Sequence, residues 1–221
     1  MSSAWNYAIT ATPAGPRLET GPDIGVFPVD MADGRPAGRL IGFPIDLVSG
    51  RLVEGRLRLG HALQDTPEAF VERTLRSLAG RFLWLAEFDG LSRLYPDPAA
   101  SVPCVYDPHL GRAGLAALSV LSPDEAAARF DAALSRDCRL TAEGWLPAGL
   151  TAHADLHRLM PNHYLDLADF RAHRFHGAAP RPATPLAVGE AAETVLSLLR
   201  TQIGASVQFS RMVRCGNRLK C

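Results

Sequence analysis

The sequence predicts a layered α+β domain, followed by a linker and an isolated C-terminal helix. Three features carry this prediction: short apolar runs between glycine and proline turns, amphipathic helical segments among them, and a proline-rich stretch before a last helix. The domain is predicted to span residues 1–176 and the linker residues 177–186. Residues 187–221 are predicted to be the start of a second, truncated domain.

Composition limits the classes of function that fit the chain. Of its 221 residues, 47% are hydrophobic and 21% are charged, as in globular proteins. Its 23 basic and 23 acidic side chains give a net charge of zero, so no field of one sign attracts nucleic acid or an anionic membrane. We therefore expect no nucleic acid and no membrane among its partners.

The cysteines and the terminal sequence predict a cytoplasmic protein. No apolar run reaches the roughly 20 residues that a bilayer requires, and the N-terminus does not have the pattern of a secretory signal. Cys104, Cys138, Cys215 and Cys221 have neither metal-ligand nor redox spacing. Reduced, ordinary thiols are therefore expected.

Strands dominate the first half of the prediction. Apolar runs with partial alternation predict strands over residues 24–29, 40–47, 52–59, 81–88, 91–95, 102–106 and 164–167. Turns at Asp33-Gly34 and Ser49-Gly50 separate the first three of them.

A first helix is predicted between the third and fourth strands. Asp65 or Thr66 can cap it, and Pro67 suits its first turn. Gly80 is predicted to end it, because glycine readily adopts the left-handed conformation found at helix C-termini.

Two more helices are predicted further along the chain. Ser122 caps the second, Glu125 completes a capping box, and the helix should run to about residue 134. The third is predicted over residues 187–203, where apolar side chains recur on one face.

The first segment with a family resemblance covers residues 78–89 and 94–106. It resembles the N-terminal class II glutamine amidotransferase domain of asparagine synthetases, in which a buried strand ending in Asp is followed by an Arg-Asp-Pro hairpin. Pro96-Asp97-Pro98 stands in the place of that hairpin turn. We expect Asp97 to hydrogen-bond the turn amides and to be structural.

The second segment covers residues 149–151 and 156–167 and ends at 173–175. It resembles the end of the same domain, where the family has an Arg-Leu-x-Pro-Gly-His-Tyr-Leu motif. Arg158, Leu159, Pro161, His163 and Tyr164 follow that order. Within this resemblance, Arg158 and His163 are expected to be structural.

The resemblance implies a fold and a chemistry. The family domain is a four-layer αββα sandwich of the Ntn-hydrolase type, and active members release ammonia from glutamine. A C-terminal ATP-pyrophosphatase domain, which uses ATP and Mg²⁺, then activates a carboxylate for amide formation. The chain has no Ser-Gly-Gly phosphate loop, so no cofactor is expected within it. We interpret this as truncation, or a shifted reading frame, before the ATP site.

The catalytic parts of the family do not match. Active members need Cys at position 2 as nucleophile, and this chain has Ser2. Their glutamine clamp includes an Asn-Gly-Glu segment, whereas residues 40–59 contain Ser49-Gly50-Arg51 instead. We therefore predict a pseudoenzyme with no catalytic, cofactor-binding or metal-binding residue, and Ser2 is the one weak catalytic candidate.

The predicted function is that of a non-catalytic glutaminase-like domain of an asparagine synthetase-like, ATP-dependent ligase. Its product would be asparagine or a natural-product or peptide amide. Its expected partners are a separate synthetase domain, a peptide or small-molecule substrate, and a second copy in a homodimer. Two alternatives stay open: a stand-alone scaffold module, and an Ntn amidohydrolase with Ser2 as nucleophile.

Five histidines between residues 153 and 176 are the remaining candidate cluster. They are His153, His157, His163, His173 and His176. Their spacing does not place two ligands on one helix face, and no nearby cysteine completes a set. We interpret them as hydrogen-bonded or surface imidazoles.

Overall fold

The computed structural model describes residues 5–63, 66–138, 146–175 and 187–218, with the backbone alone for residues 138, 147 and 208–218. The strands are β1 (Tyr7–Thr10), β2 (Arg17–Thr20), β3 (Val26–Asp30), β4 (Pro36–Asp46), β5 (Arg51–Leu52), β6 (Leu57–Arg58), β7 (Leu78–Phe88), β8 (Leu91–Pro96), β9 (Val105–Asp107), β10 (Arg112–Gly114), β11 (His157–Arg158), β12 (His163–Asp166) and β13 (Arg171–Arg174). The helices are α1 (Pro67–Arg76), α2 (Ala117–Val120), α3 (Pro123–Arg129), α4 (Ala132–Cys138) and α5 (Val188–Arg218). This mixed architecture, mostly sheet with a C-terminal helix, confirms the α+β class. The predicted linker, residues 177–186, lies outside the described residues.

The larger sheet has the strand order β13-β12-β8-β7-β4-β3-β6, and β5 pairs with β4. Its central strands, β4 and β7, are antiparallel and 11 residues long each. Side chains alternate between the two faces of a strand, so Leu83 and Leu85 belong to one apolar cluster while Phe82 and Trp84 belong to another. Both faces of the larger sheet are therefore packed.

The smaller sheet has the order β11-β9-β10-β1-β2, with antiparallel pairing throughout. It shares one apolar cluster with the larger sheet. The buried members of this cluster come from both sheets and include Tyr7, Ile9, Tyr106 and Ala113 on one side and Ile41, Leu83, Leu85, Leu94 and Leu165 on the other. The main core thus lies between the sheets.

Helices cover the remaining faces. Phe70 and Val71 of α1 pack with Trp84 on the face of the larger sheet that points away from the shared core. Val120 and Ala126, from α2 and α3, pack beside Val105 of β9 in a separate cluster. The apolar faces of the helices and of the sheets are buried against each other in this way.

Gly80 does not end the first helix, contrary to the prediction. α1 ends at Arg76, and Ser77 caps it. Gly80 lies inside β7 with φ at 90°, and a Cβ there would be 2.4 Å from the carbonyl oxygen of Phe43. The glycine is needed because β4 and β7 approach closely, not because a helix stops.

The second predicted helix is divided in two. Its capping box is confirmed: the amide of Ser122 donates to the Glu125 carboxylate at 2.8 Å, and the amide of Glu125 donates to Ser122 Oγ at 3.3 Å. However, α3 ends at Arg129, and Phe130 is extended and forms a bridge with His153. A tertiary contact therefore interrupts a segment whose local preference is helical.

Two other boundaries were wrong. The strand predicted for residues 52–59 is replaced by β5 and β6, and Gly55 between them has φ at 71°. The helix predicted for residues 187–203 continues to Arg218. Among the described residues, no helix combines the length and the apolarity that crossing a membrane requires.

Candidate functional site

The two segments that carry the family resemblance lie side by side in both sheets. In the larger sheet, Leu94 and Arg93 of β8 pair with Leu165 and Asp166 of β12. In the smaller sheet, β9 and β11 of the same two segments pair as well, with partners Tyr106↔His157 and Val105↔Arg158. The same two stretches of chain thus pair once in each sheet.

A cavity of about 430 Å³ lies at this contact, between α1, the end of β8 and the start of β12. Both family segments and the helix contribute to its wall. The lining residues are Glu72, Leu75, Arg76, Leu78, Tyr95, Pro96, Asp97, Pro98, Asn162, His163 and Phe175. We treat it as the candidate functional site.

Asp97 forms one wall of the cavity and is confirmed as a turn-stabilising residue. Its buried carboxylate accepts hydrogen bonds from the amides of Phe82 at 3.3 Å, Ala99 at 3.0 Å and Ser101 at 3.0 Å. Ser101 Oγ donates a fourth at 3.0 Å. Each carboxylate oxygen has two donors, so this group holds the turn and has little capacity left for a ligand.

His163 forms the facing wall. Its Nδ1 is 2.9 Å from the carbonyl oxygen of Pro161. A carbonyl only accepts, so Nδ1 carries the proton and Nε2 of the neutral ring is an acceptor. Asn162, just before it, has φ at 59°, in the left-handed region that Asn tolerates better than most residues. The loop therefore fixes the tautomer and direction of His163.

Tyr95 and Arg93 supply the polar groups of the adjoining sheet face. The Arg93 guanidinium lies 4.5 Å from the centre of the Tyr164 ring, and its Nε lies 3.3 Å from Asp166 Oδ2. Burial raises the pKa of Tyr95 to about 12, although Arg93 acts in the opposite direction. The Tyr95 phenol is therefore neutral and can donate or accept a hydrogen bond, but it is not a base at neutral pH.

The cavity combines charged and apolar walls. Its lining includes the ion pair between Glu72 and Arg76, one turn apart on α1. Its walls are apolar at Leu75, Leu78 and Phe175. These α1 residues come just before the first family segment and are not part of either motif, so the motifs did not single them out. They line the cavity because α1 packs on the sheet.

The structure separates the residues that the sequence singled out. Ser2 lies outside the described residues. Arg158 is on β11 in the smaller sheet, whereas His163 begins β12 in the larger one. Trp5, near the start of the described chain, stacks on Phe43 with ring centres 6.1 Å apart.

Cys104 is not positioned to act as a nucleophile in place of the cysteine that the family has at position 2. It is buried in the core between the sheets. Burial raises the pKa of its thiol to about 12, and a hydrogen bond with Tyr7 only partly offsets that increase. The thiol is therefore protonated near neutral pH, when only the thiolate would be reactive.

The histidines contact aromatic rings on different strands. His157 lies 5.6 Å from the Tyr106 ring, His173 5.4 Å from Tyr164, and His153 5.5 Å from Phe130, centre to centre. Within the part of the chain that the structure describes, no three His, Cys, Asp or Glu residues are grouped to hold a metal ion. His176 is outside that part.

Comparisons with known proteins do not identify a family. No protein-family model, no curated protein and no solved structure matches the chain.

Proposed function

We propose that the chain is a glutaminase-like domain of the four-layer Ntn-hydrolase type that no longer hydrolyses glutamine. We further propose that it serves an asparagine synthetase-like, ATP-dependent amide-forming ligase as a scaffold or substrate-binding unit in the cytoplasm. The observation that carries the proposal is the double pairing of the two family-like segments, β8 with β12 and β9 with β11. Two motifs of one family domain would be expected to meet in this way.

The order of layers supports the sandwich. A cluster shared by both sheets lies between them, α1 packs on the far side of the larger sheet, and α2 with α3 packs beside the smaller one. Asn162 also supports the second motif. It occupies the position at which the family has Gly, and its left-handed φ of 59° is one that Gly would adopt freely.

The region expected to hold glutamine supports the loss of activity. In the turn between β4 and β5, the Asp46 carboxylate accepts hydrogen bonds from the amides of Val48 at 3.0 Å and Ser49 at 3.2 Å. Thr201 of α5 lies beside Gly50, and Ala205 packs into the apolar cluster of this corner. The Asp46 carboxylate is thus hydrogen-bonded within its own turn, and the turn also contacts α5. An α-amino acid would gain few new partners there.

The proposal is tested by reconstituting the ligase. The full chain should be mixed with a separately purified ATP-pyrophosphatase domain of the asparagine synthetase type, together with ATP and aspartate. AMP and amide product are then measured with ammonium, a free amine or glutamine as nitrogen source. We expect the chain to increase ATP-dependent amide formation from ammonium or the amine, and glutamine to give no product. Ser2→Ala should leave these rates unchanged.

Two results would overturn the proposal. Glutamine-dependent product that disappears in Ser2→Ala would establish Ser2 as an active nucleophile. An ATP-dependent reaction that proceeds equally well without the chain would establish a stand-alone module.

A further inference from the structure

The C-terminal helix α5 has an apolar stripe that is exposed to solvent. The stripe consists of Val188, Ala192, Val195, Leu196, Leu199 and Ile203, which recur at helical spacing. The five larger side chains are 87%, 55%, 49%, 46% and 61% exposed, respectively. Val207, which is 45% exposed, continues the same face beyond the stripe. The stripe is about 22 Å long, from the rise of 1.5 Å per residue.

A different side of α5 contacts the rest of the chain. Thr201 lies beside Gly50, and Ala205 is buried with Ile45 and Ala79 of the larger sheet. Leu198 is on this side too, because Thr201 and Ala205 follow it by three and seven residues, and such residues share one face of a helix. The domain therefore occupies one side of the helix and leaves the apolar stripe uncovered by the described residues.

The spacing of the stripe is symmetric. About the midpoint between Val195 and Leu196, apolar residues pair by position: Val188 with Ile203, Ala192 with Leu199, and Val195 with Leu196. Two identical helices related by a two-fold axis through this midpoint run antiparallel and place each position opposite its symmetric one. Each of the six residues of the stripe would then face another apolar residue, while Val207 lies beyond this symmetric set.

Charge complementarity favours the same orientation. Glu193 and Arg200 are exposed and follow one edge of the stripe two turns apart. In the antiparallel pair, Glu193 of one copy and Arg200 of the other are offset by only about 3 Å along the helix axis. The two-fold axis repeats this Glu–Arg pair, so the interface contains it twice. Parallel helices would place the Glu193 and Arg200 edges of the two copies on opposite sides of the interface, so this pairing would be lost.

We propose that α5 is a dimerisation helix, whose stripe from Val188 to Ile203 packs against the same stripe of a second copy of this chain in antiparallel orientation. The occupant is a second copy because the pattern is complementary to itself in both apolar position and charge. A two-fold interface of this kind uses one surface patch on both subunits.

The experiment measures the mass of the full chain by light scattering during size-exclusion chromatography, over about 1 to 100 μM. We expect wild-type chain to be a dimer in the upper part of this range. The double variant Leu196→Glu/Leu199→Glu should be monomeric, with dimer affinity at least about 100-fold weaker, since each change enters the interface twice. Circular dichroism should show unchanged helix content, because both side chains are exposed in the single chain.

Leu198→Glu is the matched control, since Leu198 is 46% exposed on the same helix but outside the stripe. It should remain dimeric. Glu193→Arg should weaken the dimer by about 3- to 10-fold, and adding Arg200→Glu to it should restore the affinity. A wild-type chain that is monomeric at all concentrations would overturn the proposal, as would a stripe variant that stays dimeric or an equal loss of the dimer in Leu198→Glu.

Discussion

Gly80→Ala is expected to destabilise the domain by about 3 kcal/mol or more, the range of changes that combine backbone strain with steric overlap. Gly80 has φ at 90°, and its added Cβ would lie 2.4 Å from the carbonyl oxygen of Phe43. That oxygen belongs to the backbone of β4 and cannot rotate away. Relief requires the two central strands of the larger sheet to separate, which disturbs the packing on both faces. Urea denaturation measures the loss as a lower midpoint.

Gly34→Ala separates the two causes of this loss. Gly34 has a similar φ of 85°, but a Cβ there would have no atom within 4 Å. Its cost should be limited to the left-handed backbone, about 1 kcal/mol. If both variants lost the same stability, the close approach of β4 and β7 would contribute nothing, and our account of Gly80 would be wrong.

Asp97→Ala is expected to cost about 3 kcal/mol, because removing a buried hydrogen-bonded charge leaves its partners unsatisfied. The amides of Phe82, Ala99 and Ser101 and the Ser101 hydroxyl all donate to this carboxylate. The same change would loosen the cavity wall formed by Pro96 and its neighbours. Thermal and urea unfolding of the purified variant measure the loss.

Asp46→Ala is the matched control for Asp97. Asp46 also accepts amide hydrogen bonds in a turn, but it has two donors, Val48 and Ser49, and is half-buried. A loss of about 1 kcal/mol is expected from two partly solvated hydrogen bonds. Equal losses at both positions would show that burial and the additional donors at Asp97 do not matter.

Much of the larger sheet could be predicted from apolar patterning. The strands β4, β7, β8 and β12 coincide with predicted runs, because each buries side chains along most of its length. β1 and β2 were not predicted. Both are four residues long and lie in a glycine- and proline-rich stretch. β1 exists through its pairing with β10, about 100 residues later, and no local pattern reports such a contact.

The candidate site was predictable to a smaller degree. The turn role of Asp97 followed from its neighbouring prolines, since Asp commonly accepts amides two residues ahead. The cavity could not be predicted, because Glu72 and Arg76 line the same cavity as His163 only through the packing of α1 on the sheet. Gly80 was misjudged because glycine serves both helix ends and close strand contacts, and sequence alone does not distinguish them.

The double pairing of the family-like segments also bears on cooperativity. The strand pairs β8–β12 and β9–β11 join the same two stretches of chain, one pair in each sheet. A one-residue slip in either pair would reverse the inward and outward faces and would force a matching slip in the other. The sheets should therefore open together, and amide hydrogens of β8 and β9 should exchange with a single free energy of opening, as members of one cooperative unit.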